Sequence, residues 1–274
     1  KPFYLQALPE KEAWEELQRL TIEEKQKPFD LVKGPLLRIN LLRLPDVRTE
    51  QGIQVPNYIF LLTVHHIIYD GWSMEVLTHE LSTLYEFFSL GRPSPLPPLP
   101  IQYADFASWQ RKWLGGKVLE QQAAYWKQQL AGSPTLLDLP TDYPRPSIQR
   151  FQGASLEFNL SSEITNQLKQ LSQQTETSLF MALFSAFAIL LSRYSGQRDI
   201  VVGSPVANRT QSQVEHLIGF FVNTLVLRLN LKGNPTFEEV LKQARQMVLG
   251  AYAHQDIPFE QLVEELQPER DLSQ

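Results

Sequence analysis

The chain has 274 residues, 43% of them hydrophobic, and a formal net charge of −5, so it can bury one large core or two moderate ones. The charge is spread over mixed-sign segments without a stripe of Lys and Arg interleaved with aromatics, which argues against a nucleic-acid partner. It contains no cysteine, which excludes disulfides, thiolate metal ligands and a cysteine nucleophile, and any thiol in its chemistry must come from a partner.

The hydropathy pattern does not indicate membrane insertion or export. The longest apolar run, residues 179–191, is shorter than the about 18 residues that a membrane-spanning helix needs, and it predicts a buried helix. The chain starts at Lys1 without the basic, apolar and small-residue segments of a secretory signal. We therefore expect a cytoplasmic protein without a membrane partner, and we take its start to be a truncation.

The first part of the chain predicts both helices and strands. Residues 11–27 have the pattern of a surface helix, and residues 35–44 alternate apolar and polar side chains as a half-buried strand does. A polar loop is expected over residues 46–57. Residues 58–66 form an almost unbroken apolar run, which predicts a central strand with both faces covered. A long helix follows over residues 73–90.

Two proline-rich stretches separate the elements that follow. Residues 92–100 contain five prolines and predict a stiff, extended spacer, after which residues 101–131 resume a helical pattern. Residues 132–152 contain four more prolines and are poorly patterned, which indicates a boundary between lobes. We therefore predict an N-terminal lobe over residues 1–145 and a C-terminal lobe over residues 146–274.

The second lobe mixes strands and helices, which predicts an α+β or α/β fold, and we take the fold class to be α+β, an α/β sandwich. Its predicted helix over residues 178–194 is apolar on nearly all sides, which predicts a position in the middle of the lobe. The predicted strands are residues 154–160, 199–206 and 222–231, and the predicted helices are residues 162–175, 178–194 and 236–254.

Two adjacent histidines end the predicted strand over residues 58–66 and make this point the candidate functional site. Side chains point alternately along a strand, so His65 and His66 should face opposite ways, and one of them should serve the structure. The other three histidines of the chain are far apart in the sequence. We therefore expect no metal site, which would need a third ligand at a suitable spacing.

A turn and a helix start follow these histidines. Asp70 and Gly71 are a turn signal, and the bare backbone of glycine permits another group to approach closely. Ser73 suits a helix N-cap, whose helix would direct its positive end towards the turn, where developing negative charge is favoured. In a purely structural interpretation both histidines pack at the end of the sheet and Asp70 caps the turn. The two histidines, the Asp-Gly turn and the Trp-Ser pair after it occur together, and together they indicate a functional site more specifically than any one of them does.

These residues resemble the signature of the condensation domains of nonribosomal peptide synthetases, which is two histidines, three variable residues and Asp-Gly. Residues 65–73 (HHIIYDGWS) match it throughout. Three further motifs follow in the family's order at residues 103–109 (YADFASW), 218–224 (IGFFVNT) and 254–260 (HQDIPFE). Residues 270–273 (RDLS) resemble the opening of the family's last motif, whereas its first two motifs are missing.

The resemblance implies two lobes like chloramphenicol acetyltransferase, which form a V-shaped pseudo-dimer around a central tunnel with the histidine motif near its middle. Donor and acceptor carrier proteins would dock at opposite mouths and supply phosphopantetheine arms, so the chain itself would bind no cofactor. An adenylation domain would neighbour it in the same synthetase. The family's motif aspartate is held by an arginine. If that arginine lies in the missing upstream part, Asp70 would lack its partner.

The resemblance also implies a role for each residue of the motif in joining two thioester-bound groups by an amide bond. His66 would lie nearest the new bond, orient the acceptor amine and accept its proton. Asp70 would hold the loop, and the backbone N–H of Gly71 would stabilise the oxyanion. The supporting or tunnel-lining residues would be His65, Trp72, Ser73 and Asn223.

Particular residues argue against each of three functions other than peptide-bond formation. An epimerisation domain, or a dual condensation and epimerisation domain, shares the histidine motif, although residues 218–224 resemble the condensation form. A heterocyclisation domain would carry aspartate in place of histidine, which this chain does not. A catalytically silent module that recruits a partner is a different class of function. The intact His66, Asp70 and Gly71 argue against it, while the truncation suggests that this piece alone is inactive.

Overall fold

The computed structural model describes residues 2–144, 146 and 153–266, which group by their contacts into two compact units. The first unit is Lys1–Tyr103 with Arg209–Phe221, and the second is Ala104–Asn208 with Val222–Gln274. This grouping differs from the predicted lobes, because a short segment late in the chain packs with the first unit. Contact grouping does not test the family's lobe boundary, so the boundary between residues 145 and 146 stays a prediction.

The first unit is built around a three-stranded sheet. Its elements are β1 (Pro2–Tyr4), α1 (Glu10–Gln26), β2 (Leu37–Arg48), β3 (Gln54–Val64) and α2 (Gly71–Ser89). The strand order is β1-β2-β3, with β1 parallel and β3 antiparallel to β2. One face of the sheet packs on α1, where Ala13 and Leu17 meet Leu42 and Leu44 in a small core.

The predicted polar loop over residues 46–57 is wrong for most of its length. β2 and β3 continue through it as a hairpin, and Val47 pairs with Val55 near the turn. Gly52 adopts a φ of 79°, the left-handed conformation that glycine reaches without strain and that closes tight turns. The polar side chains of this stretch therefore belong to an exposed hairpin end rather than to a loop.

The prediction of a central strand with both faces covered is also wrong for the residues that the structure describes. β3 pairs with β2 along one edge, and no described strand pairs with its other edge. Tyr58 and Phe60 on this strand are about half exposed. An apolar run by itself cannot tell how many neighbours a strand has, because that depends on parts of the chain distant in sequence.

The second unit contains most of the helices and a two-stranded antiparallel sheet. Its elements are α3 (Tyr103–Trp113), whose first residue belongs to the first unit, α4 (Gly116–Leu130), α5 (Ser162–Gln174), α6 (Leu179–Ser195), β4 (Asp199–Val206), β5 (Asn223–Asn230), α7 (Phe237–Ala253) and α8 (Phe259–Leu266). Every second residue of β5 is buried, among them Leu225, Leu227 and Leu229, and these side chains share one hydrophobic core with residues of α4, α6 and α7. This core is much larger than that of the first unit.

Two expectations for the second unit are corrected. Residues 154–160 form no strand, and Leu156 and Phe158 are 91% and 79% exposed. An alternating pattern makes a strand only where a neighbouring strand supplies hydrogen bonds, and no described strand lies beside this segment. Helix α6 is not covered on all sides, because Phe184 and Ala188 are buried whereas Phe187 is about half exposed.

Within the described residues, no single helix combines the length and the hydropathy needed to cross a membrane. The consecutive helices α5 and α6 satisfy that criterion only when they are taken together, and they are bent by 106° relative to each other.

Candidate functional site

The candidate site lies at the turn between β3 and α2. A short 3₁₀ turn, His66–Ile68, follows the strand, and α2 begins at Gly71. The expected N-cap at Ser73 is wrong. Asp70 caps the helix, since its side chain accepts a hydrogen bond from the Ser73 N–H at 2.8 Å. The carboxylate thereby satisfies one of the otherwise unpaired N–H groups of the first helical turn.

The two histidine rings have different neighbours, but the expected alternation along a strand is not the reason, because β3 ends at Val64 and both histidines follow it. His65 is partly buried, and its Nδ1 accepts a hydrogen bond from the Ile67 N–H at 3.1 Å. Its ring lies edge-to-face with Phe29, at a centroid distance of 5.6 Å. His66 is exposed, and its ring lies edge-to-face with Phe220 at 5.4 Å. His65 therefore braces the turn, and His66 is accessible to a substrate.

Asp70 is fully engaged in hydrogen bonds at the centre of the turn. Its side chain is 2% exposed. Oδ1 accepts from the Ser73 N–H and lies 2.8 Å from the Ser73 Oγ, while Oδ2 accepts from the Phe221 N–H at 2.9 Å. Arg209 donates from Nη2 to Oδ1 at 3.2 Å. A carboxylate with this set of donors holds the turn and leaves no free oxygen for proton transfer.

Arg209 is the cationic partner of Asp70, which the sequence did not identify. It lies 139 residues downstream, so Asp70 has its partner within this chain and the expectation of an unpaired Asp70 is wrong. The Arg209 side chain is 1% exposed. Its Nη1 donates to the Val214 and Leu217 carbonyls at 2.5 and 2.8 Å. A buried ion pair needs further hydrogen bonds to both ions; here both terminal nitrogens of Arg209 are bonded, whereas its buried Nε has no partner among the described residues.

The electrostatics of this pair keep both groups charged. Burial alone would raise the pKa of Asp70, but hydrogen bonds from Phe221 and Ser73 and the charge of Arg209 outweigh it and hold the pKa of the carboxyl below its ordinary value. Burial lowers the pKa of Arg209, and Asp70 opposes that change. A guanidinium nevertheless stays protonated at any working pH. Asp70 is therefore an anion near pH 7 and does not act as a proton carrier there.

Ser73 joins the turn to a distant segment, Arg209–Phe221, which we call the strap. Its buried Oγ accepts from the Gly219 N–H at 3.0 Å and from Arg209 at 2.9 Å. Its single proton can go to Asp70 or to the Gly219 carbonyl, which is 2.9 Å away. Trp72 adds a further tie, because its indole N–H donates to the Glu215 carbonyl at 2.9 Å. Both residues therefore hold the strap.

Tyr103, the first residue of α3, packs against the same strap. Its hydroxyl donates to the Phe220 carbonyl at 2.7 Å, and its ring lies edge-to-face with Phe221 at 5.1 Å. A Cβ added at Gly219 would lie 2.2 Å from the Tyr103 ring, so only glycine fits there. The contact of Tyr103 with Phe220, 117 residues away, has no local signal in the sequence.

The remaining predicted site residues lie at two separate places. Gly71 opens α2, and no atom lies within 4 Å of the position that a Cβ would take, so the space beside it is free. Asn223 begins β5 in the second unit and is 7% exposed. Its amide donates to the Gln255 and Ile257 carbonyls at 2.8 and 2.9 Å, and its oxygen accepts from the Phe259 N–H. Asn223 therefore braces the loop before α8, and its tunnel-lining role stays a prediction.

In the described part of the chain, no group of three or more His, Cys, Asp or Glu side chains is placed to hold a metal ion. The predicted motif over residues 270–273 lies outside the described residues.

Comparisons with known proteins identify the family of this chain. The family model "Condensation domain" matches residues 2–274. The chain is 52% identical over 266 residues to a linear gramicidin synthase of Brevibacillus parabrevis, a match that covers 95% of this chain and 3% of that protein. The chain thus spans a small part of a much longer relative.

Solved structures share the fold. The chain matches the X-domain in its complex with OxyB from teicoplanin biosynthesis with a TM-score of 0.86 at 27% identity, covering all of this chain and 58% of that one. It matches a four domain nonribosomal peptide synthetase bound to AMP and glycine with a TM-score of 0.80 at 25% identity, covering 20% of that chain. The mixed α/β fold is that of condensation-domain structures, and the chain belongs to the condensation-domain family of nonribosomal peptide synthetases.

Proposed function

We propose that this chain catalyses the central step of a condensation domain, the formation of an amide bond between two carrier-bound groups. The amine of an acceptor aminoacyl thioester attacks the carbonyl carbon of a donor acyl or peptidyl thioester. The observation that carries this proposal is the exposed imidazole of His66, which sits on a turn anchored by the buried Asp70 and Arg209. Family membership supports it.

The chemistry needs only a weak base. An α-amino group has an ordinary pKa of about 7.7 to 8.0, so a useful fraction is neutral near pH 7. When its nitrogen bonds to the carbonyl carbon it becomes a much stronger acid, and the His66 imidazole can take the proton. The C–S bond then breaks, and the leaving thiolate, whose thiol has an ordinary pKa near 8.5, departs with little need of prior protonation.

Positioning should contribute more than proton transfer. Holding two tethered reactants in register can supply up to about 7 to 11 kcal/mol of the barrier reduction. A positioned general base typically contributes about 10² to 10⁴-fold. The chain would therefore act mainly by presenting the two thioesters to each other beside His66, in the tunnel that the family resemblance implies.

Gly71 is proposed to stabilise the oxyanion through its backbone N–H. It is the first residue of a 19-residue helix, and the N-terminal end of a helix carries partial positive charge. The free space beside Gly71 supports this role, since a thioester carbonyl could approach the backbone closely. Asp70 contributes by fixing the first helical turn.

The partners follow from the reaction. The two thioesters would be carried on phosphopantetheine arms of donor and acceptor carrier proteins, and an adenylation domain of the same synthetase would load the acceptor. The structural match to a four domain nonribosomal peptide synthetase supports such a setting. A cytoplasmic location is part of the same proposal.

A second candidate function is recruitment of another enzyme without catalysis. The high structural similarity to an X-domain that was solved in complex with OxyB favours it. The intact pair of histidines followed by Asp70 and Gly71 favours condensation instead. An epimerisation or dual activity of the same site would give a D-configured product residue, so chiral analysis of the released dipeptide would separate it from simple condensation.

The test is His66→Ala in the synthetase that carries this sequence, with both carriers loaded. Dipeptidyl thioester on the acceptor carrier, measured by intact mass, should form about 10² to 10⁴-fold more slowly. His79→Ala is the matched control. His79 is also exposed but lies on α2, so its removal should leave the rate unchanged. Undiminished product formation by His66→Ala would eliminate His66 from the mechanism, and the absence of product from the wild type would favour recruitment.

A further inference from the structure

The His66 ring has a single aromatic neighbour among the described residues. Phe220 meets it at a centroid distance of 5.4 Å with the ring planes at 89°. No described side chain or backbone group makes a hydrogen bond with the His66 imidazole. An exposed ring without hydrogen bonds rotates freely unless something packs against it, so the orientation of His66 depends on this contact.

The strap fixes Phe220 from both sides. Before it, the Gly219 N–H and carbonyl both lie within hydrogen-bond distance of the Ser73 Oγ, at 3.0 and 2.9 Å. After it, the Phe221 N–H donates to Asp70. The Phe220 carbonyl itself accepts from the Tyr103 hydroxyl. The backbone that carries the Phe220 ring is thereby attached at three successive residues.

Two of these attachments come from the histidine motif itself. Asp70 lies four residues after His66, and Ser73 lies three residues after Asp70. Their side chains bind the strap on either side of Phe220, so the same turn that carries His66 also sets where the phenyl ring lies. The backbone positions that carry the two rings are therefore held by buried hydrogen bonds rather than by a flexible loop.

We infer that Phe220 is a positioning residue, which orients the His66 imidazole for proton transfer while it makes no contact with the reacting atoms. Edge-to-face contacts between rings favour one orientation by about 2- to 10-fold. The inference rests on the proposed function for its effect on turnover, but the ring contact itself can be measured without any reaction.

The experiment replaces Phe220 by Leu, which keeps an apolar side chain of similar size and removes the ring. In the 274-residue chain, the carbon-bound ring protons of His66, assigned with a His66→Ala variant, should change chemical shift because the ring current of Phe220 is lost. In the loaded synthetase, kcat should fall about 2- to 10-fold with KM for the acceptor carrier unchanged. Phe220→Tyr, which retains a ring, should restore both properties.

Phe237→Leu is the matched control, since it removes a partly exposed phenyl ring from α7 in the other unit and should alter neither the His66 resonances nor kcat. Two results would overturn the inference. Unchanged His66 resonances in Phe220→Leu would disprove the ring contact, and shifted resonances with unchanged kcat would disprove the positioning role. Failure of the proposed function would instead appear as undiminished turnover in His66→Ala.

Discussion

Asp70 and Arg209 form a buried ion pair, and each member has other partners that would remain if its counterpart were removed. Without Arg209, the Asp70 carboxylate would still accept from Ser73 and from the Phe221 N–H. Without Asp70, the Arg209 guanidinium would keep two backbone carbonyls and the Ser73 Oγ, but α2 would lose its cap and the Phe221 N–H its acceptor. Removing the Asp70 carboxylate should therefore lower the free energy of unfolding more than removing the Arg209 guanidinium does.

We predict that Asp70→Ala lowers the free energy of unfolding by at least about 3 kcal/mol, because one charge is left buried and a helix cap is lost. Arg209→Met, which retains much of the side-chain volume, should lower it by less. Urea denaturation of the two variants and the wild type measures the difference. A larger loss in Arg209→Met would show that the hydrogen bonds around Asp70 do not compensate its charge.

Residues of the histidine motif could be predicted from sequence, but their partners could not. The spacing of the motif marked His66 and Asp70 because both lie within one short segment. Arg209 lies in a polar stretch without periodicity, and nothing local relates it to a residue 139 positions earlier. Such a pairing is set by tertiary packing, which single-sequence patterns do not contain.

At the scale of elements, the contact between the strap and Tyr103 should tolerate no added atom. A Cβ at Gly219 would overlap the Tyr103 ring, and overpacking of this kind typically costs about 1 to 3 kcal/mol. The displaced ring would also lose its hydrogen bond to the Phe220 carbonyl. The overlap involves the Tyr103 side chain alone, so a smaller side chain at residue 103 should recover part of the lost stability.

We predict that Gly219→Ala lowers the free energy of unfolding by about 1 to 3 kcal/mol, and that adding Tyr103→Leu recovers part of the loss. A double-mutant cycle from urea denaturation gives the coupling between the two residues. Gly71→Ala is the control, since open space surrounds that position and stability should not fall. Strictly additive losses in the double mutant would mean that the Tyr103 ring is not what excludes a larger residue.

Elements with strong periodicity were predicted well, whereas those that depend on neighbours were not. Helices α5 and α7 lie within a residue or two of their predicted bounds, since capping serine and threonine residues mark their starts. The start of α2 was placed too late, because Asp70 rather than Ser73 caps it. The strand over residues 154–160 failed because a strand needs a partner that its own pattern cannot supply.

At the scale of the whole molecule, two partly or fully buried aspartates respond to pH in opposite senses. Asp70 in the first unit has a lowered pKa, so its stabilisation is fully present above the unfolded value of about 3.9 and is lost only as pH falls through the lower folded value. Burial raises the pKa of Asp256 in the second unit, although a hydrogen bond from Gln122 and the nearby His254 oppose it. Of these two aspartates, only Asp256 should change the stability between pH 7 and pH 4.

We predict that Asp256→Asn raises the free energy of unfolding at pH 7 and not at pH 4. The folded pKa of Asp256 lies above the unfolded one, so the wild type loses stability as pH rises through these two values, and a neutral amide avoids that loss. The Asn oxygen can still accept from Gln122, whose Nε2 lies 3.1 Å from the carboxylate. Urea midpoints of both proteins at pH 4, 5, 6 and 7 give the comparison. A gain of equal size at every pH would show that packing, rather than the charge of Asp256, limits the stability of this loop.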